Sequence, residues 1–492
     1  MRSHPSVRES ATRSGSAAPQ VGWDDDPPDR VPPSAEGAAA PTRERPESLT
    51  TFTADAAAEL AGPAWLRQRR AASFEVLEAM PLPTEKEEVW RYSPIDELAL
   101  DRFTPAGPIA AADRAASALV ADLGRDLGDH GPVVTVVGGQ VAVSGPMPAG
   151  LTVQRAADES DRRAQDVVGS VLVGGDALVR LNDAFCPDVV VVEVAPGAAV
   201  ERPLVIVHWC PTGSAGGGPA PAAFPRTALR VGRGAHLQVV EVVAGPAAGD
   251  SLVVPVVECA VDDGAMLAYV SLQVLGASAW HIGRLSAEVG RDASLRVFTA
   301  GLGGHYDRLR TDVAVVGQGG SSELRSAYLG TGSQIHDVRT QQDHAAPRTT
   351  SDLLCKGAVA GASRSVYSGL IRIRHGAVRA EARQTNHNLV LDESAHADSV
   401  PNLDIEENDV RCSHASTVGP VDEDQRYYLE SRGIPPDRAE QLIVLGFFDD
   451  IVDQVPVPAA AGRLRAAVGH RLSEALGISP AAADGPTAAS GG

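Results

Sequence analysis

The stretch VVVVEVAPGAAVERPLVIVHW, residues 189–209, consists of two aliphatic runs hinged on Pro196-Gly197-Ala198-Ala199. β-Branched runs of this kind favour strands, whose period of two turns every second side chain inward. The small residues between them permit a sharp corner. Related phrases recur as EVAPGAAV from Glu193, RVGRGAHL from Arg230, AVDDGAML from Ala260, EVGRDASL from Glu288, VVGQGGSS from Val315 and IRHGAVRA from Ile373. The first five begin 37, 30, 28 and 27 residues apart, and the last gap, 58, is near twice the shorter spacings. A strand–turn–strand unit repeating at such a period marks a stacked architecture, because one unit cannot cover its own inner face. A β-sandwich also repeats strands and turns. Here the repeats run through about 200 residues with little helix, and their inward positions are Val, Leu and Ile rather than Trp or Phe. The pattern predicts a mainly β fold, a parallel solenoid with an aliphatic interior.

Outward from that core, a length of 492 residues allows two or three domains. Residues 1–48 and 480–492 are rich in Pro, Ser, Ala and Gly without periodic apolar positions, and are read as a disordered arm and tail. Residues 49–166 read as an N-terminal mixed α/β region. Helices are expected at Ala54–Glu59 and Pro63–Ser73, a capping-box pair at Thr84 and Glu87, and a hairpin near Val133–Val143 around Gly138-Gly139. The solenoid is assigned to 167–419 and a small C-terminal helical domain to 420–479. In the latter, Asp422-x-x-Gln425 opens one helix that ends at Gly433, Asp437-x-x-Glu440 opens a second, and PAAAGRLRAAVGHRLSEALG forms a third.

Composition excludes several functions. Lys+Arg at 43 against Asp+Glu at 63 leaves a net charge of −20, which argues against binding nucleic acid through its phosphates. Lys86 and Lys356 are the only lysines and neither follows a GxxxxG, so the chain lacks a Walker A loop. The opening residues have no signal-peptide core and no apolar run is long enough to span a bilayer, so the protein is read as soluble and cytoplasmic. The five cysteines lie 24 or more positions apart, with no CxxC pair and no zinc spacing.

The densest polar region is 363–432. It holds His375, His387, His396, His414, Cys412 and the acidic run Asp404–Asp409. In ENDVRCSHASTVG, Cys412 and His414 share a face if the segment is a strand. A thiolate beside an imidazole suits iron or zinc, or a nucleophile with its base, although buried Cys and lone His residues are commonly structural. The other histidines match no metal spacing, and the acidic run reads as a solvated edge.

Longer motifs carry a resemblance. SRSVYSGLIRIRHGAVRAEARQTNHNLVL (363–391), PNLDIEENDVRCSHASTVGPVDEDQRYYLESRGI (401–434) and AEQLIVLGFF (439–448) resemble the SufB/SufD family of iron–sulfur cluster assembly scaffolds. TEKEEVWRYSPI (84–95) is similar to the amino-terminal region of SufD-like members. The resemblance implies a right-handed parallel β-helix between an amino-terminal domain and a carboxy-terminal helical domain. It implies a non-catalytic scaffold that pairs with a SufB-like scaffold through the β-helix and receives the SufC ATPase on the helical domain, with a homodimer as the other possible pairing. A nascent iron–sulfur cluster would form transiently at the scaffold interface, with His414 and Cys412 as the metal-site candidates. Tyr428, Arg432, Leu442, Ile443, Phe447, Phe448 and Ile451 would bind partners. Leu429 stands where SufB-like chains carry a sulfur-accepting cysteine, so the chain looks SufD-like rather than SufB-like. A β-helix carbohydrate-active enzyme is the remote alternative; it would need paired carboxylates and aromatic platforms, and only 4% of residues are aromatic. Where the family commonly has His-Gly-Ala-Thr, this chain reads His414-Ala415-Ser416-Thr417, so a turn is expected there with less φ freedom.

Overall fold

The computed structural model describes residues 49–107, 114–158, 163–172, 174–213 and 218–475; the expected arm and tail lie outside the described residues. Two parallel sheets form the centre. The first stacks β1 (Val190–Val194), β3 (Arg226–Val231), β5 (Val256–Val261), β7 (Ala279–Val289), β9 (Tyr306–Val315), β11 (Ile335–His344), β13 (Arg364–Ile373) and β15 (His396–Ile405). The second stacks β2 (Leu204–Trp209), β4 (His236–Ala244), β6 (Met266–Val274), β8 (Ser294–Gly301), β10 (Ser321–Gly330), β12 (Thr350–Val359), β14 (Glu381–Val390) and β16 (Arg411–Gly419). The chain alternates between them, one strand of each per coil, and every strand pairs in parallel with its counterpart one coil on. Ile335, for example, lies opposite both Tyr306 and Arg364. This is the parallel solenoid that the recurring phrases predict.

All six phrases fall at the corner between the two strands of one coil. Gly197, Gly234, Gly264 and Gly319 take positive φ there, at 73°, 64°, 65° and 76°. The 58-residue gap conceals a seventh corner, HAAPRTT from His344, in which Arg348 takes φ 57°. A left-handed non-glycine residue costs roughly 1–2 kcal/mol. Arg348 N–H donates to Val378 O at 2.9 Å across to the next coil, which helps to hold the turn. A search keyed to glycine passes over such a corner.

The start of the stack is capped. Val133–Val137 adds a parallel strand beside β2 and forms the expected hairpin with Gln140–Ser144. Leu151–Arg155 lies antiparallel against β1. Helix α1 (Ala64–Ala79), with Pro63 at its N-cap, runs six residues beyond the expected Ser73. The Thr84 N–H does reach the Glu87 carboxylate at 3.0 Å, but the pair opens only a single 3₁₀ turn at Glu88–Trp90. Helices α1 and α3 (Ala177–Phe185) pack with Phe52, Phe103 and Trp90 over the outer face of the first sheet. Buried Arg226 fastens this layer, with Asp183 and Glu258 each 2.5 Å away. Helix α2 (Arg114–Leu127) lies over the second sheet.

Between the sheets, the early coils are aliphatic, as predicted: Ile206, Val239, Leu267, Leu295 and their neighbours are buried, each worth about 2 kcal/mol of transfer free energy. A buried His208–Thr227–Glu241 group interrupts them, and from β10 onward polar residues become more frequent in the interior. Ser322, Ser326, His336, Gln342, Gln384, Asn386 and Asn388 all occupy buried positions. His344 is one of them, fully buried between Thr349 Oγ1 and Ser351 Oγ, each 2.8 Å away.

Burial lowers the His344 imidazole from 6.5 to about 4. Between these values the unfolded chain binds a proton that the folded chain does not, so this contribution to stability is intact above pH 6.5 and is lost as pH falls toward 4. Chemical denaturation of His344→Gln at pH 7 and pH 5 should show a pH-dependent loss smaller than wild type by about 2 kcal/mol. An equal loss in both proteins would place the titration elsewhere.

Candidate functional site: the open end of the coil stack

Among the described residues no strand continues either sheet beyond β15 or β16. Each therefore has one edge, 10 and 9 residues long, whose N–H and C=O groups meet no neighbouring strand. Inward positions, buried one coil earlier, now face outward along the stack axis. Beneath Leu403 lies Ile371, at 0% exposure, and beneath His414 lies Gln384, also at 0%. On the last coil Leu403, Ile405 and Val418 are 36%, 43% and 44% exposed. Ser416 Oγ donates to Ser399 Oγ at 2.6 Å, linking the two sheets across the mouth. The end is a polar mouth with an apolar rim.

Cys412 and His414 share this inner face, as the spacing predicts. Their surroundings differ. His414 is exposed. Cys412 packs half-buried against the cluster of Ile371, Ile373, Ala377 and Ala382, and burial pushes its thiol up, which disfavours the thiolate. Among the described residues no three His, Cys, Asp or Glu side chains gather where they could hold a metal ion. His414 is thus a single free donor at the mouth. Ala415 lies mid-strand opposite Thr385, not in the expected turn, and no left-handed φ is required of it.

The acidic run is largely exposed, as expected, but it also ties the last corner to the one before it. Glu406 pairs with Arg372 at 3.1 Å and accepts the His375 N–H, and Glu407 accepts the Asn408 and Gly376 N–H groups. These bonds hold both carboxylates below the usual range. His396 pairs with Asp398 at 3.1 Å, and His387 is lowered by burial and the nearby Lys356.

Sequence reasoning missed the chemistry below the mouth. In register, the inward row reads Glu241, Ser271, Thr299, Ser326, Cys355, Asn386 and Ser416. Thr299 Oγ1 donates to Ser326 Oγ at 2.9 Å, and Asn388 Nδ2 donates to Asn386 Oδ1 at 2.7 Å. Tyr328 donates to Asn388. At the far end buried Glu241 accepts from Thr227 and Tyr269 and meets His208 Nε2 at 2.7 Å. The signal was available: Gln384, Asn386 and Asn388 alternate on the core side of a strand pattern.

Helix α4 (Glu423–Glu430) comes directly after the last strand. Asp422 caps it by accepting the Asp424 and Gln425 N–H groups, and Gly433 ends the segment at φ 85°. None of its residues is buried. Tyr427 is 74% and Tyr428 55% exposed, with the Arg432 guanidinium 4.6 Å from the Tyr428 ring centre. In α5 (Pro436–Val452) the expected Asp437–Glu440 box does not form, because Pro435 is the N-cap and Pro436 the first helical residue. Of the expected partner-binding residues on α5, Leu442 is exposed, and Ile443 and Phe447 are partly so. Phe448 and Ile451 are a correction: both are buried where α5 packs with α6 (Ala461–Ala475) and β10 and β12, so they build this chain's own core. Lys356 anchors the layer, donating to Phe447 O at 3.0 Å and Asp450 at 2.6 Å.

The parallel coil stack thus ends in two unpaired strand edges beside a helix with no buried residue. Comparison with known proteins identifies the family. A family model described as SUF system FeS cluster assembly, SufBD core domain, matches residues 213–447. An iron–sulfur cluster assembly SufBD family protein of Mycobacterium tuberculosis is 30% identical over 410 residues, covering 82% of this chain and 92% of that protein. The iron–sulfur cluster assembly protein SufD of Escherichia coli is 26% identical over 392 residues, 80% of this chain and 89% of its own length. SufD of Bacillus subtilis is 32% identical over 193 residues, 39% of this chain and 44% of that protein. The chain belongs to the SufBD family of iron–sulfur cluster assembly proteins.

The Lys356 anchor predicts a local phenotype. Lys356→Ala removes two charge-assisted bonds worth roughly 1.5–3 kcal/mol each in favourable settings. Hydrogen exchange in α5 should accelerate by about tenfold or more while β5–β8 stay protected. Unchanged exchange in α5 would show that the apolar contacts alone hold it.

Proposed function

We propose that this chain is a SufD-type, non-catalytic subunit whose open end receives a coil of a SufB-like scaffold, with the nascent iron–sulfur cluster assembled as cargo at the junction. The observation that carries this reading is the last coil. A stacked partner would pair the two free strand edges and bury Leu403, Ile405 and Val418, as each earlier coil buries the one before it. It would also bring further ligands to His414, whose neutral imidazole is a good donor to iron. Cys412 is the secondary candidate, since binding would have to remove its proton against the effect of burial. A second copy of this chain could use the same edges, which would make a homodimer.

An ATPase of the SufC type would dock on the helical layer through Tyr428, Arg432, Leu442, Ile443 and Phe447. Nucleotide-driven movement there would reach the stack through α5 and Lys356. Leu429 carries no thiol, so this chain would not take up sulfur as a SufB-type scaffold does. With no helix of the described residues long and apolar enough to cross a membrane, a cytoplasmic complex is the setting proposed.

Two experiments test the reading. Leu403→Lys with Ile405→Lys should abolish co-purification with the SufB-like partner while circular dichroism of the lone chain stays unchanged; retained pairing would rule out the open end as the junction. In the assembled complex, His414→Ala should leave composition intact and lower the yield of cluster several-fold. Full cluster yield would remove His414 from the site.

A further inference from the structure

Directly beneath His414, one coil down and on the same inner face, stands Gln384, which is fully buried. Its carboxamide lies against Gly369 on β13. Gln384 Nε2 donates to Gly369 O at 3.4 Å, and a Cβ on residue 369 would stand 2.6 Å from that nitrogen, so only glycine admits the group. Gln384 Oε1 is buried with no hydrogen-bond partner among the described residues. Exchanging the oxygen and nitrogen of the amide would turn an oxygen toward the Gly369 carbonyl and would not relieve the deficit.

The neighbours of Gln384 narrow what can supply a donor. Leu353 lies below it in register, and Pro401, without an N–H, lies above Gly369. On its own strand, Asn386 Nδ2 is spent on Cys355 O at 3.4 Å. Gln342 Nε2, a buried donor without a partner, belongs to the coil below, beneath Ile371. Tyr367 Oη meets Thr340 Oγ1 at 3.4 Å. The remaining donor is the His414 ring directly above, exposed and without a bond among the described residues. Adjacent strands lie about 4.8 Å apart, and both side chains leave the same face. Rotation about the His414 side-chain bonds is enough to bring a ring N–H onto Oε1, and a buried acceptor left unmet is destabilising.

We propose that Gln384 is a positioning residue for His414: its carboxamide oxygen accepts one ring N–H and so presents the other nitrogen, unprotonated, to the mouth. A carbonyl oxygen only accepts, so the lower nitrogen carries the proton and the upper one keeps its lone pair. A neutral ring oriented in this way is the form that binds a metal ion, and an acceptor behind a histidine fixes its tautomer and raises its basicity. The use of this orientation for iron rests on the cargo reading above; the tautomer itself does not.

Imidazole NMR of the full chain with ¹⁵N-labelled histidine tests it at pH 8, where an ordinary imidazole is neutral. The His414→Ala spectrum assigns the signals. One tautomer should predominate at His414, and the ratio of the two should change by about fivefold or more in Gln384→Leu. Leucine already holds the same place one coil down, at Leu353; should Gln384→Leu fail to fold, Gln384→Met decides. Gln384→Glu keeps an acceptor and should retain the original tautomer, as should Tyr367→Phe. An unchanged ratio in Gln384→Leu, or a ratio that follows Tyr367→Phe instead, overturns the proposal. In complex with a SufB-like scaffold, Gln384→Leu should also weaken binding of ferrous iron by about tenfold or more. A tautomer change without that loss upholds Gln384 as the positioning residue and counts against His414 as an iron ligand.

Discussion

Each coil of this protein is held by hydrogen bonds to the next, and the last coil has no such partner among the described residues. A parallel edge cannot close on itself with a short hairpin, since successive strands of one sheet are a whole coil apart. At the start of the stack the outermost strands are short antiparallel ones, Gln140–Ser144 and Leu151–Arg155, of five residues each. At the other end, β15 and β16 stop, and the chain leaves into α4, which buries nothing. The same coil that lacks hydrogen-bond partners exposes Leu403, Ile405 and Val418. Backbone pairing and apolar burial therefore call for the same thing at the same place, another coil.

The interior shares this polarity. Aliphatic side chains predominate in the early coils, around one buried His208–Thr227–Glu241 group, and hydroxyls, carboxamides and imidazoles become more frequent toward the mouth. Four buried polar atoms without a protein partner lie there, His336 Nε2, Gln342 Nε2, Ser365 Oγ and Gln384 Oε1, as His208 Nδ1 does in the early coils. An interior selected for stability alone would use Val and Leu at such positions, because unsatisfied buried groups are destabilising. The late coils give up part of that stability beneath the surface that carries His414.

The stack was legible because its corners are local: a small pair between alternating runs is visible without knowing what packs on what. Arg348 shows the limit, since a left-handed residue held by a bond to the next coil leaves no glycine to find. The polar interior was hidden for another reason. Ser, Thr, Asn and Gln normally signal surface, and only register with neighbouring coils reveals Asn386 and Ser326 as inward. The open end had a sequence marker in Pro401, which lacks an N–H and so is expected on edge strands. Phe448 and Ile451 were misassigned to a partner surface because helical periodicity identifies an apolar face but not what covers it. Cys412 and His414 were correctly placed on one face, yet neighbouring coils give one a packed pocket and the other solvent.

The most direct measurement is amide hydrogen exchange along the intact chain, alone and after mixing with a SufB-like scaffold. The open-end account predicts rapid exchange in β15 and β16 of the lone chain, slow exchange in β5–β8, and strong new protection confined to β15, β16 and the adjoining α4 on mixing. Protection of β15 and β16 already complete in the monomer, or protection on mixing that falls on the capped end instead, would contradict it.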